Sequence, residues 1–358
     1  MRTLNIKSRL IILLTLTISL SGCLSKEDIN LPYNGFSPEF TGDGWEISTP
    51  EAENINQVLI EQVYKDFYNG AKYPTIQSLL IIRNNKLVAE AYCKNLNDRY
   101  QLHNMMSVTK SITSILTGIA LDKNLIDSID TPVYNYLSAY FDEDYRKKSI
   151  TIRQVLMMET GLEFDNNKHS RELISEKGSS LEYVLHKELK FIPETDWYYG
   201  DGNPQLISGI IQQITGKTLA EFANEHLFEP LGIIDYQWEV LSDKLNIGAQ
   251  GLWLTPRDMG KIGLLMANNG WWKGESLLAE NWVNVSTKRQ SSHQNYGYYW
   301  HPIEDKAYYA EGHGGQLIWV YPEKELVIII TSDPHAKTWY LSESYDNIFN
   351  QILKSIED

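Results

Sequence analysis

The sequence predicts an α/β (α+β) protein in which an antiparallel sheet is flanked by helices and carries an inserted, mostly helical lobe. Near the start, two β-rich runs surround Asn84-Asn85, which is a strong hairpin signal. Helix-period runs fill the middle of the chain, and strand-like runs return at its end. Because strands lie at both ends, we expect one sheet built from both, with the helices between them.

The middle of the chain is predicted to be helical from Ser107 onward. The run from Ser107 to Asn124 has helical periodicity, and "SITIRQVLMMETGL" reaches a C-cap glycine at Gly161. Gly216 separates two further helices, and Thr255-Pro256 starts another as N-cap and first helical residue. Residues 165–190 are polar and are predicted to be irregular, apart from the amphipathic piece "SSLEYVLHKEL".

The end of the chain returns to strands. "NYGYYWH", "QLIWVYP" and "ELVIIITS" alternate or run apolar as strands do, and "SESYDNIFNQILKSIE" closes the chain as an amphipathic helix. We therefore assign a single domain to residues 51–358. Its α/β lobe comprises residues 51–120 and 251–358, and its helical lobe comprises residues 121–250.

The N-terminus has the pattern of an export signal. A basic start, the apolar run "LIILLTLTISL" and small residues predict a signal peptide over residues 1–22, and a polar tether follows over residues 23–50. "LSGC" resembles the lipobox of bacterial lipoproteins, which implies lipidation of Cys23 and an extracytoplasmic protein anchored to a bacterial membrane. The alternatives are an uncleaved anchor or a plain secretory signal.

The net charge of the chain argues against two classes of binding partner. The formal net charge is −14, and removal of residues 1–22 would leave 29 basic against 46 acidic residues. This excess argues against nucleic-acid binding and against electrostatic attachment to anionic lipid. The second cysteine, Cys93, lies in a strand-like run and is interpreted as structural. No oligomeric state is predicted.

Ser107 and Lys110 are the first catalytic candidates. Three residues apart on a helix, their side chains share a face. A serine hydroxyl needs a partner that takes its proton, and a desolvated lysine with a lowered pKa can serve as that partner. S-x-x-K alone is a weak signal, since a serine and a lysine on a surface helix give the same pattern.

The sequence around Ser107 and several later stretches favour the catalytic interpretation of S-x-x-K. "LHNMMSVTKSITSILTGIALDKNLI", "ITIRQVLMMETGL" and "GLWLTPRDMGKIGLLMANNGWWKGESLLAENWV" strongly resemble the serine β-lactamase and penicillin-binding-protein superfamily, over about residues 55–355. More narrowly, the chain resembles class C-like serine hydrolases, which include esterases and 6-aminohexanoate-dimer hydrolases. The resemblance implies a β-lactamase/transpeptidase-like fold and an acyl-enzyme hydrolase with its site between two lobes.

The resemblance also implies a tyrosine motif in front of a helix. Tyr199-Gly200-Asp201 matches it, with Tyr199 favoured over Tyr198 by its spacing from the helix end. Tyr199 would act as base and then as acid to the leaving group. Asp201 stands where the family has an amide or hydroxyl, so it would keep Lys110 charged or disfavour anionic substrates, and Asn203 could take part of the amide role. The alternative is a tyrosine and an acid that cap the helix.

A third family motif matches His313-Gly314-Gly315. The resemblance implies that these residues line the substrate, and that the backbone N–H groups of Gln316 and Ser107 form the oxyanion hole. Histidine replaces the family's lysine, which weakens the grip on a substrate carboxylate, because histidine is only partly charged at neutral pH. The alternative is a histidine that merely occupies a glycine turn.

The remaining predictions concern ligands. Asp165 lies in "GLEFDNN", which is similar to an acidic stretch at the pocket of dimer hydrolases and implies a substrate contact; a solvated loop acid is the alternative. Scattered histidines and the absence of metal motifs predict no metal, and no cofactor is implied. The expected partners are a small-molecule or peptide-like substrate and, through the lipid, a membrane.

Taken together, these features predict a lipid-anchored serine hydrolase that cleaves an ester or amide bond through an acyl-serine intermediate. One alternative is a β-lactamase or peptidoglycan D,D-peptidase, against which the residues at 201 and 313 argue. A further alternative is a non-catalytic acyl- or penicillin-binding surface lipoprotein. Intact Ser107, Lys110 and Tyr199 argue against this last alternative.

Overall fold

A computed structural model describes residues 30–70, 73–304, 306–335 and 343–357. The predicted signal peptide and Cys23 lie outside these residues. The strands are β1 (Ile76–Arg83), β2 (Lys86–Tyr92), β3 (His103–Asn104), β4 (Gln237–Trp238), β5 (Leu252–Leu254), β6 (Trp271–Trp272), β7 (Glu275–Ser276), β8 (His301–Ile303), β9 (Ala307–Gly312), β10 (Gln316–Tyr321) and β11 (Leu326–Ser332).

Twelve α-helices are present in the described residues, and all but the first and the last lie between β3 and β8. They are α1 (Gln57–Tyr68), α2 (Val108–Asp122), α3 (Tyr134–Leu137), α4 (Ile152–Met157), α5 (Asn166–Ser175), α6 (Ser180–Leu185), α7 (Gly202–Thr215), α8 (Leu219–Ala223), α9 (Glu229–Leu231), α10 (Pro256–Ala267), α11 (Glu280–Ser286) and α12 (Glu343–Ser355). Among the described residues, none of these helices has the length and apolarity needed to span a membrane.

Strands from both ends of the chain form one antiparallel sheet. Its six strands run in the order β2-β1-β11-β10-β9-β8, so β1 pairs with the C-terminal strand β11. The predicted hairpin joins β1 to β2, and both Asn84 (φ 50°) and Asn85 (φ 67°) have the left-handed conformation that a type I′ turn requires. The predicted α/β class, with an antiparallel sheet flanked by helices, is confirmed.

The sheet separates two hydrophobic cores. Alternate residues of β10 and β11, such as Trp319 and Ile328, pack on one side with α1 and α12. Ile318 and Ile329 face the other side, where they meet α2, α10 and the core of the helical lobe. Both faces of the central strands are buried, which explains their continuous apolar runs.

Two helix predictions need correction. The helix before Gly161 ends earlier, at Met157, because Met158 takes the left-handed conformation (φ 63°) that closes α4. The segment predicted to be irregular from residue 165 contains α5, which begins where the Asp165 carboxylate accepts the backbone N–H of Asn167. Thr255 caps α10 as predicted, accepting the N–H of Asp258.

Candidate active site

Ser107 lies at the N-terminal end of α2. The short strand β3 delivers the chain to this point by pairing with β5, and the Asn104 side chain then accepts the backbone N–H of Met106 at 2.9 Å. Met106 has a positive φ of 48°, an uncommon conformation for a residue with a side chain. The resulting tight turn places Ser107 at the positive end of the helix dipole of α2.

Lys110 meets Ser107 on the same helix face. Its Nζ donates to Ser107 Oγ at 2.8 Å and to the carbonyl oxygen of Ala249 at 3.1 Å. The same Nζ lies 2.8 Å from Asp201 Oδ1, and the Lys110 side chain is only 2% exposed. The structure thus brings three of the predicted site residues into direct contact.

The sequence gives two expectations for Lys110: a pKa lowered by desolvation, or a lysine that Asp201 keeps charged. Burial lowers the pKa of Lys110, but the charge of Asp201 and the hydrogen bonds of Lys110 with Asp201 and Tyr199 outweigh it, so that the pKa is raised above its usual value. The direction agrees with the second expectation and not with the first. Lys110 is an ammonium at neutral pH, as anticipated for a carboxylate at position 201.

Asp201 is held in place by α5. Ser170 Oγ donates to Asp201 Oδ2 at 2.6 Å, and Asn166 Nδ2 donates to Oδ1 at 3.1 Å. The backbone N–H of Asp201 donates in return to Asn166 Oδ1 at 2.8 Å. Asn166 and Ser170 were not identified from the sequence; the only signal was the Asx cap at Asp165 that starts their helix.

The side chains of Asp165 and Asn203 make hydrogen bonds to neighbouring parts of the chain. The Asp165 carboxylate caps α5 and is exposed, so its role in substrate binding stays a prediction. Asn203 is buried; its Oδ1 accepts from Thr160 Oγ1 at 2.8 Å, and its Nδ2 donates to the sulfur of Met158 at 3.2 Å. Because both polar atoms are engaged, Asn203 does not replace the amide that the family has at position 201.

The Tyr199 ring faces Lys110, whereas the neighbouring Tyr198 ring contacts a different lysine. Lys110 Nζ lies 4.8 Å from the centre of the Tyr199 ring. Tyr198 is instead covered by Lys190, whose Nζ lies 4.0 Å from that ring's centre. The Tyr199 ring also contacts Trp197 and Tyr296, at centroid distances of 6.0 and 6.4 Å.

His313, Gly314 and Gly315 form the turn between β9 and β10. The two glycines have φ values of 80° and 98°, which favour glycine over other residues. The His313 side chain is exposed, and partial desolvation together with His335 lowers its pKa. His313 is therefore mostly neutral at pH 7, which agrees with a weak grip on carboxylates.

Gly312 brings this turn against the segment that precedes Ser107. A Cβ atom on Gly312 would lie 2.4 Å from the carbonyl oxygen of Met105 and 3.1 Å from Cβ of Met106. The side chain of Gln316 is directed into the sheet, where its Nε2 donates to the carbonyl of Ser332 at 2.7 Å. Its backbone N–H as half of an oxyanion hole stays a prediction.

Gly312→Ala is expected to disturb the nucleophile. The added methyl must displace backbone, so we expect a loss of about 1–3 kcal/mol in unfolding free energy and at least about tenfold slower labelling of Ser107 by a fluorophosphonate. Gly178→Ala is the control, since its Cβ would meet only the tip of the Glu176 side chain at 3.3 Å. Equal melting temperatures and labelling rates for both variants would contradict the close packing at Gly312.

The described ranges contain no group of three or more His, Cys, Asp or Glu residues that could hold a metal ion. Serine, lysine, tyrosine and aspartate are instead the groups that converge at the end of α2. They can supply a nucleophile, a fixed positive charge and a proton carrier, which are the parts needed for acyl transfer.

Comparisons with known proteins give a matching family and a relative of similar length. A family model described as Beta-lactamase matches residues 70–337. The 6-aminohexanoate-dimer hydrolase of Paenarthrobacter ureafaciens is 23% identical over 299 residues, which are 74% of each chain.

Solved structures share the fold at low sequence identity. A class C beta-lactamase superposes with a TM-score of 0.67 at 14% identity, covering 84% of this chain and 96% of that chain. A family VIII carboxylesterase gives a TM-score of 0.65 at 14% identity, covering 83% and 96%.

Proposed function

Because the chain belongs to the β-lactamase family of hydrolases, we propose that it is a serine hydrolase that cleaves an ester or amide bond through an acyl group on Ser107. The observation that carries this proposal is the hydrogen bond from Lys110 Nζ to Ser107 Oγ, made by a lysine that is buried and paired with Asp201. Burying this ion pair costs desolvation energy, and a serine and a lysine on a surface helix would avoid that cost by staying in water.

In the proposed reaction, Ser107 Oγ forms a bond to the substrate carbonyl carbon, and the proton of Oγ passes to Tyr199, which reacts in its phenolate form. The charged Lys110 orients Oγ and stabilises the negative charge that develops on it. The N–H groups of Ser107 and Gln316 hold the oxyanion. As the bond to the leaving group breaks, Tyr199 gives this proton to the leaving group and becomes a phenolate again. A water then attacks the acyl carbon and gives a proton to Tyr199. Tyr199 passes that proton to Ser107 Oγ as the bond between Oγ and the acyl carbon breaks, which releases the acid and restores Ser107.

The lysine that holds a substrate carboxylate in β-lactamases is replaced by His313, which supports an ester or amide substrate over a β-lactam. We also propose, from residues 1–23 of the sequence, that the protein is an extracytoplasmic lipoprotein anchored through Cys23.

Trapping the acyl-enzyme tests the reaction. The full-length protein is mixed with p-nitrophenyl butyrate, quenched in acid, and digested for mass spectrometry. We expect the peptide that contains Ser107 to carry one butyryl group at short times and to lose it as substrate is exhausted. Turnover without a butyryl group on this peptide at any time would overturn the proposal.

Tyr199→Phe is expected to lower kcat by about 10²–10⁴-fold, because a positioned group that carries a proton contributes that much. The control is Tyr198→Phe, which removes the same hydroxyl from the adjacent ring that contacts Lys190. The measurement is steady-state hydrolysis of an unactivated ester, whose leaving group needs a proton. A change confined to KM, or equal losses in both variants, would refute the role of Tyr199.

A further inference from the structure

A series of aromatic rings in contact with one another begins at Tyr199 and continues to β9. We name five of them the aromatic strip: Trp197, Tyr199, Tyr296, His301 and Tyr309. Neighbouring centroids lie 5.6 Å apart between Trp197 and Tyr296, 5.0 Å between Tyr296 and His301, and 4.9 Å between His301 and Tyr309, where the rings stack. The strip thus connects the site to strands β8 and β9.

Most rings of the aromatic strip are mostly buried but still reach the surface. Tyr296, in the middle, is 1% exposed and packs against rings on both sides. The other four are each partly exposed. The indole N–H of Trp197 has no hydrogen-bond partner within the described part of the chain, so packing alone holds this ring. Rings that served only the core would be covered, as Tyr296 is.

The strip carries little charge. Lys110, the cation beside Tyr199, is already paired with Asp201. Burial and the charge of Lys110 lower the pKa of His301 to about 4, so this ring is neutral at pH 7. Glu311, which follows on β9, has a pKa raised by burial. A substrate carboxylate that lay along the aromatic strip would meet no unpaired cation among these residues, whereas an uncharged ring of the substrate could stack on the rings of the strip.

The position of Tyr199 indicates which part of the substrate meets the strip. In the proposed function Tyr199 gives its proton to the leaving group, so the rings that contact Tyr199 lie on the leaving-group side. We infer that the aromatic strip binds the leaving group and selects uncharged, ring-bearing alcohols or amines, with Trp197 and His301 as specificity-determining residues. This inference rests on the proposed acyl-enzyme reaction at Ser107.

Two acetate esters that differ in the alcohol test the inference. We compare kcat/KM for benzyl acetate and hexyl acetate, each normalised to its rate with hydroxide, using the full-length protein. We expect the wild type to favour benzyl acetate by about tenfold, the order that one to two aromatic contacts supply. Trp197→Leu and His301→Leu should each reduce this ratio several-fold, whatever they do to the absolute rates.

The control is Trp271→Leu, an exposed tryptophan in the β6-β7 hairpin outside the strip, which should keep the wild-type ratio. Circular dichroism checks that each variant is folded. A wild-type ratio near one, or a ratio that is unchanged in both strip variants, overturns the inference about the aromatic strip. The proposed function still stands in that case if Ser107 is acylated. Failure of both esters to acylate Ser107 overturns the two together.

Discussion

Ser107→Ala is expected to lower the turnover of p-nitrophenyl butyrate by at least about 10⁴-fold while leaving the fold unchanged. Without Oγ no acyl-enzyme can form, and the residual rate comes from binding and oxyanion stabilisation alone. Because Ser107 is partly exposed at the start of α2, replacing its hydroxyl creates no buried cavity. Initial rates, together with thermal unfolding, measure both effects.

Ser114→Ala provides the matched control. Ser114 lies on the same helix, is buried, and its Oγ has no hydrogen-bond partner within the described residues. Its loss should leave both kcat and the melting temperature close to the wild-type values. Turnover by Ser107→Ala at the rate of Ser114→Ala would remove Ser107 from the mechanism.

Lys110→Ala is expected to lower kcat by about 10²-fold or more and to destabilise the protein by about 3–5 kcal/mol. Activity falls because Ser107 loses the charge that orients it; stability falls because Asp201 is left buried without its cation. The double variant Lys110→Ala/Asp201→Asn separates the two effects. It should regain most of the lost unfolding free energy, since no charge remains unpaired, and none of the lost kcat.

Chemical denaturation and steady-state kinetics on the wild type and these two variants give the result. If the double variant recovers activity, Lys110 acts only by neutralising Asp201. If it stays as unstable as the single variant, the cavity left by lysine outweighs the unpaired charge.

Asp201→Asn alone should change the pH dependence. In the wild type the raised pKa of Lys110 contributes stability that is fully present below 10.5, the ordinary lysine value, and is lost as pH rises through the higher folded value. Without Asp201, only Tyr199 still opposes the effect of burial, so the pKa of Lys110 should fall below its wild-type value and the stability that this charge contributes should be lost at a lower pH. The alkaline limb of kcat/KM should likewise move to lower pH. Identical pH profiles for Asp201→Asn and wild type would disprove this coupling.

Features determined by local chemistry were predictable from the sequence. Asn84-Asn85 predicts its hairpin because both residues tolerate a positive φ. The contact between Ser107 and Lys110 was predictable because helix geometry alone brings residues three positions apart together. The tyrosine, aspartate and histidine positions came from family resemblance, which supplied what local chemistry could not.

The support of Asp201 by Asn166 and Ser170 was not predictable, because it depends on how α5 docks onto the turn before α7. The polar sequence of α5 gave little sign that it would form a helix at all. The sign of the Lys110 pKa shift was open for a similar reason. Burial and a neighbouring carboxylate shift the pKa in opposite directions, and only the 2.8 Å separation from Asp201 decides between them.

The pairing of β1 with β11 has a consequence for biosynthesis. A chain leaving the ribosome exposes β1 and the nucleophile helix early, but the strand that completes the central pairing is made only after the whole helical lobe. Gly312, which packs against the residues before Ser107, is also made late. Such long-range pairing folds slowly, because a large loop must close before contacts form. While β10 and β11 are still to be made, the nascent chain therefore has Ser107 without the turn that packs beside it, and the proposed hydrolysis can begin only once these strands have been added.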